Sequence, residues 1–523
     1  MTRPDGGASG VAGTIVQVPD TSAHTSSPHV IDPADLEVTL RVLASLGDVD
    51  EDDPDFTAVR NATAAMIKAV KQRRRKDRRA AIAAADSAVV AATATGAADR
   101  IDDETRGLTL EARVASPTAG TYLKPRPCYI CKQDYTTVDA FYHQLCPACA
   151  ETGHAKRHAR TDLRGRRALL TGGRAKIGMH IALRLLRDGA ALTLTTRFPR
   201  DAVRRFAAMP DAAEWLSRLT VVGIDLRDPS QVVALADAVA ADGPLDIVIN
   251  NAAQTVRRSP GAYAPLVDAE SVPLSPGLWE EGKGPHLLTL GPSNDAHPRG
   301  IEASIAVHPL LASAHHGEVA DQSAQRLTEL ALAPGSSSLE RLADGTAIDA
   351  GGLVPDTHDT NSWVQAVGEV TPLELLEVQL CNSTAPFILI NRLRSSLAAA
   401  AAASSSGRSY VVNVSAMEGV FERGYKGPGH PHTNMAKAAL NMLTRTSARE
   451  MFETDRILMT SVDTGWITDE RPHPTKVRLA EEGFHAPLDL VDGAARVYDP
   501  VVRGEAGEDL FGVFLKDYAP SKW

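Results

Sequence analysis

Residues 169–178, LLTGGRAKIG, constrain the fold of this chain more than any other stretch. An apolar run that reaches paired glycines and then enters a helical pattern is typical of a buried strand, a glycine turn and a helix. Gly172 and Gly178 remove side chains where the backbone must turn tightly and approach a pyrophosphate, which the amides and positive end of the helix stabilise. The middle position of such fingerprints is Lys176 here, so an ordinary strand-to-helix connection is also compatible with this turn.

Strand-like and helical patterns alternate after this turn. Apolar runs with strand character occupy 191–196, 219–224 and 245–249, and helical spacing occupies 180–188, 203–216 and 230–240, with a break expected at Pro210. Such alternation predicts βαβ units with right-handed crossovers and ligands at the carboxyl ends of the strands. The predicted fold class is therefore α/β, a doubly wound Rossmann-type parallel sheet.

Six landmarks along the chain resemble the short-chain dehydrogenase/reductase family. They are TGGxxxIG, the pair Asp225-Leu226, NNAA at 250–253, Asn382 in NSTAPF, Ser415 in VVNVSAMEG and Lys437 in HTNMAKAAL. They occur in the order that the family has, and the resemblance covers about 165–523 apart from a long insertion. It implies an oxidoreductase that moves a hydride between a nicotinamide cofactor and a carbonyl or alcohol.

The resemblance assigns three of the four catalytic positions of the family. Ser415 matches the serine that steadies the carbonyl, Lys437 the lysine that grips the ribose, and Asn382 the asparagine that holds a relay water. The family's proton-transferring tyrosine, four residues before the lysine, is Thr433 here. An aliphatic hydroxyl is a much weaker acid than a phenol with a pKa of about 10, so this departure affects the chemistry.

Three interpretations of the missing phenol remain open. Tyr425 lies in a long loop, FERGYKGPGHPH, that could fold a phenol back into the vacant position, and we favour it as the replacement. His432 could act instead, although its position five residues before Lys437 directs it to another part of a helix. Alternatively nothing replaces the tyrosine, and the chain is an inactive dinucleotide-binding sensor or scaffold protein.

The end of the second predicted strand favours NADP(H) over NAD(H). Strands that select NAD usually end in an acidic residue, whereas this strand ends in Thr195-Thr196-Arg197. A basic residue at the middle-glycine position resembles the pteridine reductase branch of the family, whose cofactor is NADPH. The predicted cofactor contacts are Gly172, Arg174, Lys176, Ile177, Gly178, Arg197, Asp225, Leu226, Asn251 and Lys437.

Four of the five cysteines form two Cys-x-x-Cys pairs, Cys128 with Cys131 and Cys146 with Cys149. Two such Cys-x-x-Cys pairs, each called a knuckle, are typical of Zn(II) held by four thiolates when the chain has no secretory signal. Four protein ligands leave no open position, so the predicted zinc is structural. The fifth cysteine, Cys381, lies in an apolar helical run and is interpreted as a core thiol.

Composition changes along the chain predict its organisation. A disordered tail at 1–28 precedes a helical region at 29–98, a linker at 99–124 and the zinc module at 125–160. The family-like domain at 165–523 contains an insertion at about 256–370 that is rich in Pro, Gly, Ser and His and has few strand patterns. Such an insertion is interpreted as a lid or recognition surface, or as an excursion without a chemical role.

The charge pattern and the absence of targeting signals limit the partners that the sequence predicts. The net charge of -10 gives no reason to expect nucleic acid, and the basic run 71–79 is interpreted as a solvated helix face. The sequence shows neither a membrane-length apolar run nor a signal peptide, which predicts a cytoplasmic protein with no membrane partner. The expected partner is a small carbonyl or alcohol substrate, and the resemblance implies a homo-oligomer.

Overall fold

The computed structural model describes residues 31–97, 100, 110–275, 285–290, 339–349, 351–468 and 470–523. The predicted disordered tail lies outside these residues. The chain divides into two compact units, Met1–Ala81 and Ile82–Trp523.

The first unit contains helix α1 (Pro33–Ser45) and most of helix α2 (Pro54–Ala91). Pro33 occupies the first turn of α1, and the side chain of Asp32 accepts a hydrogen bond from the amide of Ala34 at 2.8 Å. A carboxylate cap followed by proline is a favourable helix start because it satisfies an amide that would otherwise lack a partner. The basic residues 71–79 of α2 are exposed.

A nine-stranded sheet forms the centre of the second unit, in the order β11-β10-β9-β8-β6-β3-β4-β5-β7. Neighbouring strands are parallel except for the antiparallel pair β10 and β11. The predicted α/β fold with a parallel sheet is therefore confirmed. The strands are β3 (Arg167–Leu170), β4 (Ala191–Thr196), β5 (Leu219–Gly223), β6 (Ile247–Asn250), β7 (His286–Thr289), β8 (Ser409–Ser415), β9 (Ile457–Asp463), β10 (Phe514–Lys516) and β11 (Ala519–Ser521).

Helices cover both faces of this sheet and bury two separate apolar cores. Leu185, Phe206 and Val497 belong to the core on one face. Leu235, Leu393 and Met451 belong to the core on the other. The helices are α3 (Pro147–Arg157), α4 (Lys176–Arg187), α5 (Pro199–Ala207), α6 (Pro229–Ala241), α7 (Ala264–Ser271), α8 (Leu339–Ala343), α9 (Pro372–Gln379), α10 (Ala385–Ala403), α11 (Pro431–Asp455), α12 (His473–Glu481) and α13 (Leu490–Glu505).

The helical stretch Pro372–Ala403 is long and apolar enough, by length and composition, to cross a membrane, so the expectation that the sequence has no run of that length is corrected. Its residues Leu389, Leu393 and Leu397 are fully buried in the core beneath the sheet. The apolar character of this stretch therefore has a role in the packing of the domain. A π-helical turn at Leu380–Thr384 separates α9 from α10.

One element agrees with the sequence prediction and another differs from it. Helix α5 ends at Ala207 and short 3-10 turns follow, in agreement with the break expected at Pro210, because proline cannot donate a helical hydrogen bond. The insertion supplies the edge strand β7, which pairs with β5, although its pattern contains few strand signals. The residues of β7 are mostly exposed, so they lack the alternation that identifies a strand.

The four cysteines lie in a small module, residues 118–157, that packs within the second unit. It consists of the antiparallel strands β1 (Thr118–Pro127) and β2 (Asp134–Asp139) and helix α3. Strand β1 begins inside the predicted linker 99–124 because Thr118 pairs with Asp139 at the far end of β2. The four-cysteine module therefore starts earlier than the cysteine spacing alone indicates.

Candidate active site and metal centre

The turn between β3 and α4 requires glycine at two positions. A Cβ atom on Gly178 would lie 2.0 Å from the carbonyl oxygen of Gly172, and one on Gly172 would lie 2.9 Å from the Cα of Ala252. Gly172 also has a φ of +69°, which side-chain-bearing residues rarely adopt. The turn thus brings the start of α4 against the end of β6, where helix amides can face an anion.

A cavity of about 380 Å³ opens at this turn, along the carboxyl ends of the central strands. Nine of the ten predicted cofactor contacts line it, and Lys437 is the exception. The side chain of Asn251 donates to the carbonyls of Thr171 and Gly172, both at 3.0 Å, and thereby joins the β6 loop to the glycine turn. The predicted contacts that line the cavity are Gly172, Arg174, Lys176, Ile177, Gly178, Arg197, Asp225, Leu226 and Asn251.

Arg197 lies beside two aromatic rings at one end of this cavity. Its guanidinium carbon is 5.0 Å from the ring centre of Tyr263 and 5.8 Å from that of Phe198. Tyr263 comes from the insertion and was missed by sequence reasoning, since no local pattern connects it to β4. Contact with these rings restricts the guanidinium of Arg197 and leaves its positive charge unpaired by any carboxylate of the described residues.

Two other arginines at the cavity form ion pairs with carboxylates, and Arg174 shares its carboxylate with Arg205. Arg174 approaches Asp201 at 2.5 Å and donates to the carbonyl of Gly351 at 2.7 Å. The guanidinium of Arg174 therefore ties the glycine turn to the insertion, and its role as a cofactor contact stays a prediction. Arg227 lies 2.5 Å from Asp225 and 2.7 Å from Glu377.

Ser415 and Lys437 lie together beside the sheet edge. Ser415 ends β8, and its hydroxyl donates to the side-chain oxygen of Asn441 at 2.5 Å. The ammonium of Lys437 donates to the carbonyl of Val414, the preceding residue, at 2.7 Å. Burial lowers the pKa of Lys437 to about 8. Asn441 was missed by sequence reasoning, although its position four residues after Lys437 puts it on the same helix face.

Thr433 and His432 are buried on the first turn of α11. They are 3% and 1% exposed, and among the described residues neither the Thr433 hydroxyl nor either ring nitrogen of His432 has a hydrogen-bond partner. Burial also lowers the pKa of His432, which favours its neutral form. The position of the family's tyrosine is thus occupied by a small, buried hydroxyl.

Tyr425 does not fold back toward this position. Its side chain is 78% exposed, whereas Ser415 is 2% exposed. The loop thus directs the ring of Tyr425 to solvent. In this position the phenol cannot contact a substrate oxygen that the buried Ser415 hydroxyl holds. The predicted replacement of the catalytic phenol by Tyr425 is not what the structure shows.

Asn382 lies in the π-helical turn and is held by the β6 loop. Its side-chain oxygen accepts from the amide of Gln254 at 2.7 Å, and its side-chain nitrogen donates to the carbonyl of the same residue at 2.9 Å. Cys381, beside it, packs against the apolar core as predicted, and it also lines the cavity. Burial raises the pKa of this thiol to about 11.

The four predicted metal ligands converge in the four-cysteine module. The sulfur atoms of Cys128, Cys131, Cys146 and Cys149 all lie within 4.8 Å of one another, and those of Cys131 and Cys146 are 3.6 Å apart. A tetrahedral site with Zn–S bonds of about 2.3 Å has sulfur separations of about 3.8 Å, so this arrangement fits Zn(II). His143 lies outside the cluster, with its Nδ1 atom 2.8 Å from the hydroxyl of Thr95.

Fold and site together define an α/β protein with a cavity at the carboxyl edge of its parallel sheet. Residues 166–268 match the family model described as short chain dehydrogenase. Over these residues the chain is similar to that family, which agrees with the resemblance drawn from its sequence.

The similar proteins differ in how much of this chain they cover. An uncharacterized protein of Acanthamoeba polyphaga mimivirus is 29% identical over 390 residues, covering 72% of this chain and 71% of the viral protein. A probable oxidoreductase of Streptomyces antibioticus is 40% identical over 94 residues, covering 17% of this chain and 30% of that protein. The solved carbonyl reductase Sniffer of D. melanogaster has 18% identity and a TM-score of 0.39, covering 69% of this chain and 100% of its own.

Proposed function

We propose that this chain is an NADP(H)-dependent oxidoreductase that transfers a hydride between the nicotinamide and a carbonyl or alcohol substrate. The observation that carries the proposal is the cavity at the glycine turn, which gathers nine of the ten predicted cofactor contacts at the carboxyl edge of the sheet. Ligands of parallel α/β sheets bind at this edge. The match of residues 166–268 to the short chain dehydrogenase model supports the reaction class.

Arg197 supports the preference for NADP(H). Among the described residues no carboxylate forms an ion pair with it, whereas Arg174 and Arg227 at the same cavity are paired. A 2′-phosphate is the part of NADP(H) that NAD(H) lacks, and a planar guanidinium binds phosphate oxygens with two parallel hydrogen bonds. Arg197 is therefore the cation proposed to distinguish the two cofactors.

The residues around Ser415 would have separate roles in binding the substrate and the cofactor. When bound, the nicotinamide supplies or accepts the hydride. The Ser415 hydroxyl, fixed by Asn441, would hold the substrate oxygen, and Lys437 would contact the ribose through one of its three N–H bonds. A further N–H of Lys437 is already committed to the carbonyl of Val414.

Lys437 is also the proposed source of the proton. The hydroxyl of Thr433 is too weak an acid at neutral pH, and burial keeps His432 in its neutral form. The Lys437 ammonium donates to the residue directly before Ser415, and its pKa of about 8 suits proton transfer near neutral pH. In reduction the ammonium would give its proton to the substrate oxygen, and in oxidation the neutral amine would take it back.

The four-cysteine module is proposed to hold structural Zn(II). Its four sulfur atoms lie within 4.8 Å of one another, close enough to bind one ion together. Four thiolates complete the coordination of the metal, so none of the substrate chemistry takes place there.

The test uses purified, zinc-loaded protein. Calorimetry with NADPH and with NADH should show at least tenfold tighter binding of NADPH, and NADPH oxidation should occur with some member of a panel of ketones and pterins. Failure to bind either dinucleotide would contradict the proposal. Tight binding without oxidation of NADPH by any panel member would instead support the sensor interpretation.

A further inference from the structure

The four-cysteine module contacts both ends of the segment that follows β9. This segment, residues 464–488 apart from 469, contains α12 and leads to α13. Thr468 and Glu470 line the cavity that is proposed to bind the dinucleotide. The segment therefore forms one wall of that cavity, and whatever fixes its ends determines where the wall lies.

Tyr129 fixes the first end. It lies between Cys128 and Cys131, in the first knuckle of the proposed zinc site. The backbone amide of Trp466 donates to its hydroxyl at 3.0 Å. A side chain between two metal ligands has a position set by the geometry of the metal site, so this hydrogen bond connects that geometry to the segment.

Other residues of the module fix the second end. Arg157 forms a bidentate pair with Asp489, with distances of 2.6 and 3.1 Å, and both side chains are at most 4% exposed. Tyr142 donates to Asp492 at 2.6 Å. Asp489 and Asp492 form the capping box that begins α13, so the module holds the helix start that ends the segment.

The module and the cavity also share an apolar core. Cys128 and Cys146 pack in one cluster with Leu490, and Ile177 packs against that cluster. Leu490 and Ile177 also line the cavity. Ile177 belongs to the glycine turn, so the apolar surroundings of the cysteines extend to the proposed phosphate-binding backbone. Ile467 and Leu488, near the two ends of the segment, complete this core.

We propose that the four-cysteine module positions the cavity wall for the dinucleotide, with Tyr129 as a positioning residue, so that the metal and the dinucleotide stabilise each other's binding. This inference rests on the proposed function, because it requires a dinucleotide in the cavity. Coupling between two binding sites is reciprocal, so each ligand must affect the affinity for the other by the same factor. Two independent measurements can therefore test it.

The first measurement is NADPH affinity in the full-length variant Tyr129→Phe, which removes only the hydroxyl that Trp466 contacts. One hydrogen bond contributes about 1 kcal/mol, so we expect about fivefold weaker NADPH binding, with zinc content unchanged. Tyr135→Phe is the matched control. The Tyr135 hydroxyl donates to the carbonyl of His143 inside the module, and Tyr122 donates to the same carbonyl, so this variant should retain wild-type affinity.

The second measurement is the rate of zinc release from wild-type protein to a chromogenic chelator. Saturating NADPH should slow this release severalfold, and Tyr129→Phe should reduce the protection. Either readout moving in the stated direction supports the proposal. Unchanged NADPH affinity in Tyr129→Phe together with NADPH-independent zinc release would overturn it, as would equal losses of affinity in Tyr129→Phe and Tyr135→Phe. Failure of wild-type protein to bind NADPH or NADH would overturn the proposed function as well, so the two failures are distinguishable.

Discussion

The hydroxyl of Ser415 donates to the side-chain oxygen of Asn441 across 2.5 Å, and both side chains are buried. Asn441 lies one helical turn after Lys437 on α11, so one face of this helix contacts both the serine and the strand end that carries it. Below them, Asn250 donates to Asn413, and Asn413 donates to Thr444. These buried hydrogen bonds join β6 to β8 and β8 to α11, the two elements that carry Ser415 and Asn441.

Replacement of Ser415 by alanine should lower kcat by about 100-fold, because it removes a preorganised contact to the substrate oxygen. The variant Asn441→Ala, which keeps the serine but removes its orienting partner, should lower kcat by about tenfold. The measurement is steady-state NADPH oxidation, with NADPH affinity determined separately. A Ser415→Ala enzyme with wild-type kcat would contradict the assigned role.

Replacement of Tyr425 by phenylalanine should leave kcat and KM within twofold of wild type. The side chain is 78% exposed, and exposed substitutions away from a site have small effects. The same kinetic assay checks this expectation. A loss of kcat of tenfold or more would show that the loop closes over the substrate and would restore Tyr425 as the proton donor.

The pH dependence of reduction should follow Lys437. The pKa of about 8 lies below the ordinary lysine value of 10.5, so the ammonium is protonated below about pH 8 and loses its proton above it. Since reduction requires the protonated form, kcat should be constant below pH 8 and fall about tenfold per pH unit above it. Oxidation should show the opposite slope.

Lys437→Arg provides the control for this pH profile. It keeps the positive charge, but a guanidinium does not deprotonate in this range, so the limb near pH 8 should disappear and kcat should be low throughout. An unchanged limb near pH 8 in this variant would assign the titration to another group.

Replacement of Arg197 by alanine should weaken the binding of NADPH much more than the binding of NADH. NADPH affinity should fall by about 10- to 100-fold because a charge-assisted contact to the 2′-phosphate is lost, whereas NADH affinity should change little. Calorimetry with both dinucleotides on the same variant supplies the internal control. An equal loss for NADPH and NADH would show that Arg197 supports the cavity through Tyr263 instead of recognising the phosphate.

Replacement of Gly178 by alanine should abolish dinucleotide binding and lower the melting temperature. The added Cβ would lie 2.0 Å from the Gly172 carbonyl, so the backbone of the turn must move. Gly424→Ala is the matched control, because a Cβ there would meet no atom within 4 Å. Thermal unfolding and NADPH titration check both variants, and unaltered binding by Gly178→Ala would exclude this turn as the phosphate site.

The amino-acid sequence by itself determined the parallel sheet, the glycine turn and the convergence of the four cysteines. These features depend on local periodicity, on glycine where only hydrogen fits, and on short cysteine spacing, and all three can be read within a few residues. The sequence also identified Ser415 and Lys437 as candidate catalytic residues, through the motifs VVNVSAMEG and HTNMAKAAL.

Only the tertiary structure decided which partners these residues meet. The contacts of Arg197 with Tyr263, Arg174 with Asp201, and Trp466 with Tyr129 join segments that are 27 to 337 residues apart. The exposure of Tyr425 likewise depends on the path of a loop without periodicity. Long-range contacts of this kind follow from how whole elements pack, and no local pattern in the chain encodes them.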